Sequence, residues 1–397
     1  MKLFRFIRVS VYIILIQSRL IFSASSDPVF GENGMVVSAS HQASEAGVEI
    51  LKKGGNAVDA AVTVGFVLAV TSSANGNIGG GGFMVSALSD GSVFSLDYRE
   101  KAPAAAHRDM YLDPDGDIIE GMSLYSRAAS GVPGSVDGLL KALADYGSGN
   151  INRRQALAPA IRLAEKGFIL SHYEATRLNH NKDLFKQNEA AAEIFVRKDG
   201  RSWQAGDRLL QADLARTLKR ISKHGRDGFY RGHVADLIVA EMKRGNGFIS
   251  HEDLKNYSSV YRTPVTGSFH EYGILSMGPP SSGGALLVNM MNMLENYTLD
   301  TLGWNSSDYV HLLTEIERRA YADRAEHFGD PEYWAVPMEM LTSKTYAASR
   351  TGDISMNKAT PSSAVSASEP FGYESRETTH YSVVDKEGNA VSVTTTI

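Results

Sequence analysis

The chain has 397 residues, a formal net charge of −5 and 43% hydrophobic residues, which is enough apolar content for a sizeable core. It contains no cysteine, and this excludes disulfides, thiolate catalysis and Cys-based metal sites. None of the eleven histidines falls in an HExxH or similar ligand cluster, so we expect no metal site. An acidic chain without a basic patch also argues against nucleic acid as a partner.

The first 25 residues have the pattern of a secretory signal peptide. Three basic residues precede an apolar stretch from Val9 to Ile16, and small residues follow from Ser23 to Ser25. The stretch is shorter than the roughly 20 residues that span a bilayer. We therefore expect export to the periplasm or the exterior, with no stable membrane span. An uncleaved anchor is the alternative, because Leu20 to Phe22 extend the apolar run beyond Arg19.

The predicted elements that follow are both helices and strands, which indicates a mixed fold. Ser40 is in position to cap a helix from His41 to Lys53, and two glycines end it. The next helix, about Ala57 to Val70, is apolar nearly all round, which predicts a buried core helix with Asp59 near its positive end. The later elements are strands at Phe83–Ala87, Val93–Asp97, Thr263–Phe269 and Gly273–Met277, and helices at Ile151–Lys166, Gln211–His224, Gly232–Arg244 and Ser307–His327.

The last twenty residues, Thr378 to Ile397, predict a β-hairpin. Two alternating arms are joined by a Lys-Glu-Gly link centred on Glu387, which is typical of a type I turn closed by a left-handed glycine. The numbers of cross-strand partners then add up to 774, so Thr378 faces Thr396. The preceding stretch, Asn357 to Glu377, is rich in Ser, Ala and Pro and predicts an exposed flexible loop.

The threonine pair allows two interpretations. Opposed residues on paired strands have Cβ atoms about 4.5 to 5.5 Å apart, close enough for their hydroxyls to hydrogen-bond. In one interpretation threonine is only a favoured strand residue, and Thr394 to Thr396 are an edge run. In the other, Thr378 is a nucleophile that Thr396 orients. A threonine hydroxyl needs a nearby base, and its own α-amine can serve only if the bond from Glu377 to Thr378 is broken.

Five further motifs precede this hairpin, and together they resemble the γ-glutamyltransferase family (γ-glutamyl transpeptidase, glutathione hydrolase) of N-terminal nucleophile hydrolases. The resemblance runs from about residue 30 to the end, and it closes on the TTHY motif at Thr378, where that family cuts itself. The motifs are HQASEAGVEILKKGGNAVDAAV (His41–Val62), GNIGGGGFM (Gly76–Met84), LDYREKAP (Leu96–Pro103), SGVPGSV (Ser130–Val136) and PPSSGG (Pro279–Gly284).

The resemblance implies a fold and a division of the chain. The fold would be α+β, a four-layer αββα sandwich of the N-terminal nucleophile hydrolase type. Cleavage between Glu377 and Thr378 would leave residues 26–377 as the large-subunit region and residues 378–397 as the start of the small subunit. The two subunits would come from the same precursor and remain partners.

The resemblance also implies roles for individual residues. Thr378 would be the catalytic nucleophile, and Thr396 would be its partner in the substrate-binding site. Arg99 would bind the α-carboxylate of the γ-glutamyl group, a task that suits the planar guanidinium fork, and Asp97 and Glu100 beside it would hold its side chain. The glycine run before it, Gly79 to Gly82, lacks the spacing of a phosphate loop or a dinucleotide fingerprint, and so we interpret it as close backbone approach beside the site.

The implied reaction transfers the γ-glutamyl group of glutathione or related amides to water, or to amino-acid or dipeptide acceptors, through an ester on Thr378 and without a cofactor. Family members continue for roughly a third of their length beyond the hairpin, and that part supplies further substrate contacts and an oxyanion hole. Here Ile397 is the last residue. The alternatives are therefore a precursor known in part, a truncated inactive member, or a related β-lactam side-chain acylase.

Overall fold

The computed structural model describes residues 28–72, 74–365 and 378–396. The proposed signal peptide, Glu377 and Ile397 lie outside these residues. All the helices and strands described belong to one compact unit that begins at Gly34. The strands are β1 Gly34–Val37, β2 Gly81–Ala87, β3 Val93–Asp97, β4 Phe168–Ile169, β5 Arg208–Leu209, β6 Val260–Arg262, β7 Val265–Phe269, β8 Tyr272–Ser276, β9 Thr378–Asp385 and β10 Ala390–Thr396.

The described residues also form sixteen α-helices. They are α1 His41–Lys52, α2 Ala57–Thr71, α3 Met122–Tyr125, α4 Ser135–Tyr146, α5 Arg153–Lys166, α6 His172–His180, α7 Lys182–Phe185, α8 Glu189–Phe195, α9 Ala212–His224, α10 Asp227–Tyr230, α11 Gly232–Arg244, α12 His251–Asn256, α13 Gly283–Leu294, α14 Ser307–His327, α15 Met338–Leu341 and α16 Lys344–Thr351. Short 3₁₀ turns lie at Arg127–Ala129, Leu299–Thr301 and Ser362–Ala364.

The main sheet has six strands in the order β1-β9-β10-β2-β3-β6, and every neighbouring pair is antiparallel. The hairpin of β9 and β10 therefore lies inside the sheet, paired on one side with β1 and on the other with β2. Helix α2 packs against one face of this hairpin. Two smaller ladders, β4 with β5 and β7 with β8, lie outside the main sheet.

Helix α2 is the buried core helix that the sequence predicts, since all fifteen of its residues are buried. Asn56 and Asp59 close its first turn in a capping box, in which each side chain accepts a hydrogen bond from the other's backbone N–H. Gly65 leaves room for the sheet above, because a Cβ there would lie 2.7 Å from the hydroxyl of Tyr381. The hairpin and this helix therefore share one core.

Most predicted elements are confirmed to within two residues at each end. Two details differ. Ser40 precedes α1 but forms no side-chain cap; its hydroxyl donates to Gln42 and accepts from Thr71, which ties α1 to the end of α2. Of the stretch predicted from Asn357 to Glu377, the described residues 357–365 are mostly exposed, but they are attached to the fold, because Thr360 is hydrogen-bonded to α14.

Asp385, at the end of β9, joins the hairpin turn to the start of α2. One carboxylate oxygen accepts from the backbone N–H groups of Glu387 and Asn389, at 3.1 and 2.9 Å. The other accepts from the backbone N–H of Ala57 at 2.8 Å and from the side-chain amide of Asn389. The side chain is only 5% exposed, so a single carboxylate satisfies both the turn and a helix N–H that has no partner within its own helix.

We expect Asp385→Ala to lower the free energy of unfolding by about 2 to 4 kcal/mol, because several buried N–H groups lose their acceptor. Urea unfolding followed by circular dichroism measures this change. The matched control is Glu387→Ala in the same turn, where the side chain is exposed and a change of about 0.5 kcal/mol or less is expected. Equal losses in the two variants would contradict this role of Asp385.

Candidate active site

The hairpin brings the two threonines together as the turn arithmetic predicts. Thr378 pairs with Thr396 across β9 and β10, and the Thr378 hydroxyl lies 3.5 Å from the Thr396 hydroxyl oxygen. Gly388 closes the turn with a φ of +87°, in the left-handed region that favours glycine. The predicted register is therefore confirmed, and the Thr378 side chain is exposed on the face of the sheet opposite α2.

Asn77 fixes the end of β10. Its amide nitrogen donates to the carbonyl oxygen of Thr396 at 2.8 Å, while its amide oxygen accepts from the Gly80 N–H at 2.6 Å and from the Ser135 hydroxyl at 2.9 Å. The side chain is 9% exposed, so these bonds form largely away from solvent. Asn77 thus connects the glycine run, the start of α4 and the strand that carries Thr396.

Asn75 contacts the start of β9 in a similar way. Its amide nitrogen donates to the carbonyl oxygen of Thr378 at 3.2 Å. Its amide oxygen is buried and has no hydrogen-bond partner among residues 28–72, 74–365 and 378–396. Neither asparagine is identified as a site residue from the sequence. The only signal is their position in the short link between α2 and the glycine run.

The glycine run lies against the end of β10, which confirms the interpretation as close backbone approach. A Cβ on Gly80 would lie 2.4 Å from the Thr396 carbonyl oxygen, and one on Gly82 would lie 2.5 Å from the Thr394 carbonyl oxygen. A Cβ on Gly79, in contrast, would meet no atom within 4 Å. Side chains are therefore excluded where the run contacts β10, but not at its start.

The same sheet places Arg99 in line with the threonines. Thr396 pairs with Gly81 of β2, and the register of β2 with β3, extended past the end of β3, sets Gly81 opposite Arg99. A row from Thr378 through Thr396 and Gly81 to Arg99 thus crosses three strand spacings of about 4.8 Å, roughly 14 Å in all. Only a glycine fits between Thr396 and Arg99, because a Cβ on Gly81 would lie 2.7 Å from a carboxylate oxygen of Glu100 and 2.8 Å from the Arg99 Cα.

The guanidinium of Arg99 lies on the same face as the threonine hydroxyls. Its carbon is 5.9 Å from the centre of the Phe83 ring, and Phe83 pairs with Thr394 in the neighbouring row. The side chain is exposed, and in the described part of the chain no carboxylate forms an ion pair with it. The Arg99 guanidinium is therefore available to bind an anion at the end of the row opposite Thr378.

Rigid contacts hold the backbone of Arg99. Asp97 accepts from the Arg99 N–H at 3.0 Å, and the Tyr257 hydroxyl donates to the Arg99 carbonyl at 2.8 Å. The other oxygen of Asp97 accepts from Arg262 at 3.1 Å, so the expectation that Asp97 holds the Arg99 side chain is wrong. Burial raises the pKa of Glu100, while the charge of Arg99 acts in the opposite direction.

His380 lies on the same face, two residues after Thr378 on β9. One ring nitrogen is 2.9 Å from the Thr394 hydroxyl, and the other is 3.2 and 3.1 Å from the hydroxyls of Ser382 and Ser392. Burial lowers the pKa of His380, so the ring is uncharged at neutral pH. It therefore links β9 to β10 by hydrogen bonds and adds no positive charge behind Thr378.

Within the described ranges, no three acidic or histidine side chains come close enough together to hold a metal ion. No helix in those ranges has both the length and the apolar character needed to cross a membrane.

A threonine that begins an internal hairpin strand, on the exposed face of an antiparallel sheet with helices packed on the other face, is the arrangement expected of an N-terminal nucleophile hydrolase. A solved structure confirms this α+β fold. The crystal structure of the Helicobacter pylori gamma-glutamyltranspeptidase matches with a TM-score of 0.82 and 42% sequence identity, over 85% of this chain and 96% of that chain.

The gamma-glutamyltranspeptidase family model matches residues 43–397, and the chain belongs to this family. The glutathione hydrolase proenzyme of Pseudomonas sp. (strain A14) is 48% identical over 378 residues, which is 95% of this chain and 65% of that protein. The acylase ACY 1 proenzyme of Pseudomonas sp. (strain SE83) is 37% identical over 95% of this chain and 67% of its own length. The chain thus spans about two thirds of the length of these relatives.

We expect Gly80→Ala to destabilise the protein by about 1 to 3 kcal/mol, because its Cβ forces the end of β10 and the Asn77 amide to move. Thermal unfolding measures the loss. Gly79→Ala is the matched control, since the neighbouring glycine is exposed and has free space around its Cβ position. If both variants lost the same stability, the close approach at Gly80 would not constrain β10.

Proposed function

We propose that the protein is a γ-glutamyltransferase and glutathione hydrolase proenzyme with Thr378 as its nucleophile. One observation carries this proposal: the Thr378 hydroxyl lies 3.5 Å from that of Thr396, at one end of a row that has Arg99 at its other end. Family membership supports it, as does the name of the Pseudomonas relative. The next steps follow from the chemistry of a strand-borne threonine.

Self-cleavage comes first. The Thr378 hydroxyl attacks the carbonyl carbon of Glu377, the bond from that carbon to the Thr378 nitrogen breaks, and the acyl group moves from nitrogen to oxygen. Thr378 has no free amine at this stage, so another group or a water molecule takes the hydroxyl proton, and the Thr378 nitrogen gains one. Water then hydrolyses the ester. The products are a carboxylate on Glu377 and a free α-amine on Thr378, and they separate a large-subunit region, residues 26–377, from a small subunit that begins at Thr378.

Turnover uses the same hydroxyl with the new α-amine as its base. Arg99 binds the α-carboxylate of the donor, and the γ-glutamyl chain extends from there towards Thr378. Attack on the γ-carbonyl releases the amine of the leaving group and forms a γ-glutamyl ester on Thr378. Water resolves this ester to glutamate, or an amino-acid or dipeptide amine resolves it by transfer. Both outcomes share one covalent intermediate, so the kinetics are ping-pong.

A second candidate function is β-lactam side-chain acylase activity. The acylase relative favours it, and the same row of residues would bind a dicarboxylic acyl group through one carboxylate at Arg99. The two functions differ in the donor, since a γ-glutamyl group carries an α-amino group and a glutaryl group does not. Parallel assays with γ-glutamyl-p-nitroanilide and a glutaryl β-lactam separate them.

We also propose export to the periplasm or the exterior. The support is the order of basic, apolar and small residues in the first 25 positions, which carry four positive charges and no negative one. Loss of this segment moves the formal charge from −5 to −9. N-terminal sequencing of the exported protein tests this proposal.

We expect Thr378→Ala to abolish self-cleavage and to lower hydrolysis of γ-glutamyl-p-nitroanilide by at least about 10³-fold, because the attacking oxygen is lost. Both effects are measured on the protein expressed from the complete gene. Gel electrophoresis shows self-cleavage, and the release of p-nitroaniline from the substrate measures hydrolysis. Thr379→Val is the matched control, since Thr379 is buried on the other face of the same strand. Full activity of Thr378→Ala would refute the mechanism.

We expect Arg99→Lys to raise the KM for the donor about tenfold, because lysine keeps the charge but loses the paired hydrogen bonds to a carboxylate. Steady-state kinetics with γ-glutamyl-p-nitroanilide measure this. Arg108→Lys serves as the control, since Arg108 is an exposed arginine that pairs with Asp109 and does not belong to the row. An unchanged donor KM in Arg99→Lys would show that Arg99 does not bind the donor carboxylate.

A further inference from the structure

Helix α14 carries charged side chains in buried positions, where apolar side chains would cost less free energy on folding. Glu315 is 1% exposed and Arg319 is 2% exposed, and Arg318 lies beside them. Burying charges costs free energy, and ion pairs in the interior are often no more stable than apolar packing of the same size. We name Glu315, Arg318 and Arg319 the α14 clamp. We therefore explain these buried charges by the chain segment that they bind, and not by a contribution to the free energy of unfolding.

The α14 clamp holds the backbone of one residue, Thr360, from both sides. The backbone N–H of Thr360 donates to Glu315 at 2.9 Å, and the Thr360 carbonyl accepts from Arg318 at 2.6 Å. Arg318 also donates to the hydroxyl of Ser362 at 3.1 Å. Backbone bonds of this kind fix the position of the chain whatever its side chains are, and charged partners make them stronger than neutral ones.

Arg319 adds a contact further upstream, with Asp353, which lies seven positions before Thr360. It donates to the carboxylate of Asp353 at 2.8 Å and to Glu315 at 2.6 Å. Burial acts to raise the pKa of Glu315, but the bonds from Thr360 and the pairing with Arg319 outweigh it and lower the pKa to about 2. Glu315 is therefore ionised throughout the physiological pH range, and the clamp stays charged.

We propose that the α14 clamp is a positioning device for self-cleavage, because it fixes the chain that leads into the bond from Glu377 to Thr378. This inference rests on the proposed function. Ser362 is sixteen positions before Thr378, whereas the end of α16, the next helix upstream, is twenty-seven positions before it.

The clamp acts by limiting conformations. Thr378 is fixed at the other end by its pairing with Thr396 of β10 and by the hydrogen bond from Asn75. Fixing both ends of a chain reduces the arrangements open to the residues between them. The scissile carbonyl then meets the Thr378 hydroxyl more often in the orientation for attack, which is where much of the rate of an intramolecular reaction arises. Once the bond is cut, the clamp has no further part in turnover.

The test compares clamp variants of the complete proenzyme with a matched control on the same helix. The clamp variants are Glu315→Gln and Arg318→Met. The control is Asp323→Asn, because Asp323 is 3% exposed and pairs with Arg350 at 3.0 Å and with the Tyr346 hydroxyl at 2.9 Å, away from the clamped segment. The measurements are the rate at which the fragment beginning at Thr378 appears, the kcat per cleaved molecule, and the melting temperature.

We expect Glu315→Gln and Arg318→Met to slow cleavage about threefold to tenfold, with kcat per cleaved molecule unchanged. Arg318→Lys, which keeps a donor for the Thr360 carbonyl, restores most of the rate. Asp323→Asn cleaves at the wild-type rate even where its melting temperature falls as far as that of Glu315→Gln.

Two results would overturn the inference: cleavage of both clamp variants at the wild-type rate, or an equal slowing by Asp323→Asn. If Glu315→Gln does not fold, Arg318→Met still decides the question, because the Arg318 side chain is 26% exposed and easier to replace. Failure of the wild type to produce a fragment beginning at Thr378 would instead overturn the proposed function.

Discussion

The structure depends on the pairing of β10 with two neighbours, β9 and β2. This double pairing makes the hairpin an internal part of the sheet, and every side chain proposed for the site takes its place from it. Thr378 and Thr396 face each other because the turn sets the register of β9 with β10. Arg99 lies in the same row because β2 continues that register towards β3.

Polar groups at the ends of these strands hold the row in place. Asn77 uses both ends of its amide to join the glycine run to Thr396, and Asp385 joins the turn to α2. Such buried groups are stable only when their hydrogen bonds are complete. The amide oxygen of Asn75 departs from this rule within the described residues, and it does so beside Thr378. Incomplete hydrogen bonding is thus found next to the residue for which a reaction is proposed.

The sequence predicted those features of the fold that depend on residues close together along the chain. The hairpin register followed from the turn, and helices with clear periodicity were correct to within two residues. Strand β1 was not predicted, because its four residues are too few to show an alternating pattern. Helix α13 was not predicted either, because it begins with the two glycines of the PPSSGG motif, and glycine disfavours helix. The roles of Asn75 and Asn77 were out of reach, because their partners lie 303 and 319 positions further along the chain. Arg99 was found by its resemblance to a family motif, since an exposed arginine at a strand end has no distinctive local pattern.

The internal position of the hairpin also bears on quaternary structure. A break in the backbone just before β9 would leave that strand bonded to β1 and its partner β10 bonded to β2, with α2 packed beneath both. The hydrogen bonds between these strands, formed within one folded chain, would then become the interface between two polypeptides. This interface would already be fully formed at the moment of cleavage. Separating the two polypeptides would require opening the sheet on both sides of the hairpin, so dissociation and unfolding would be a single event.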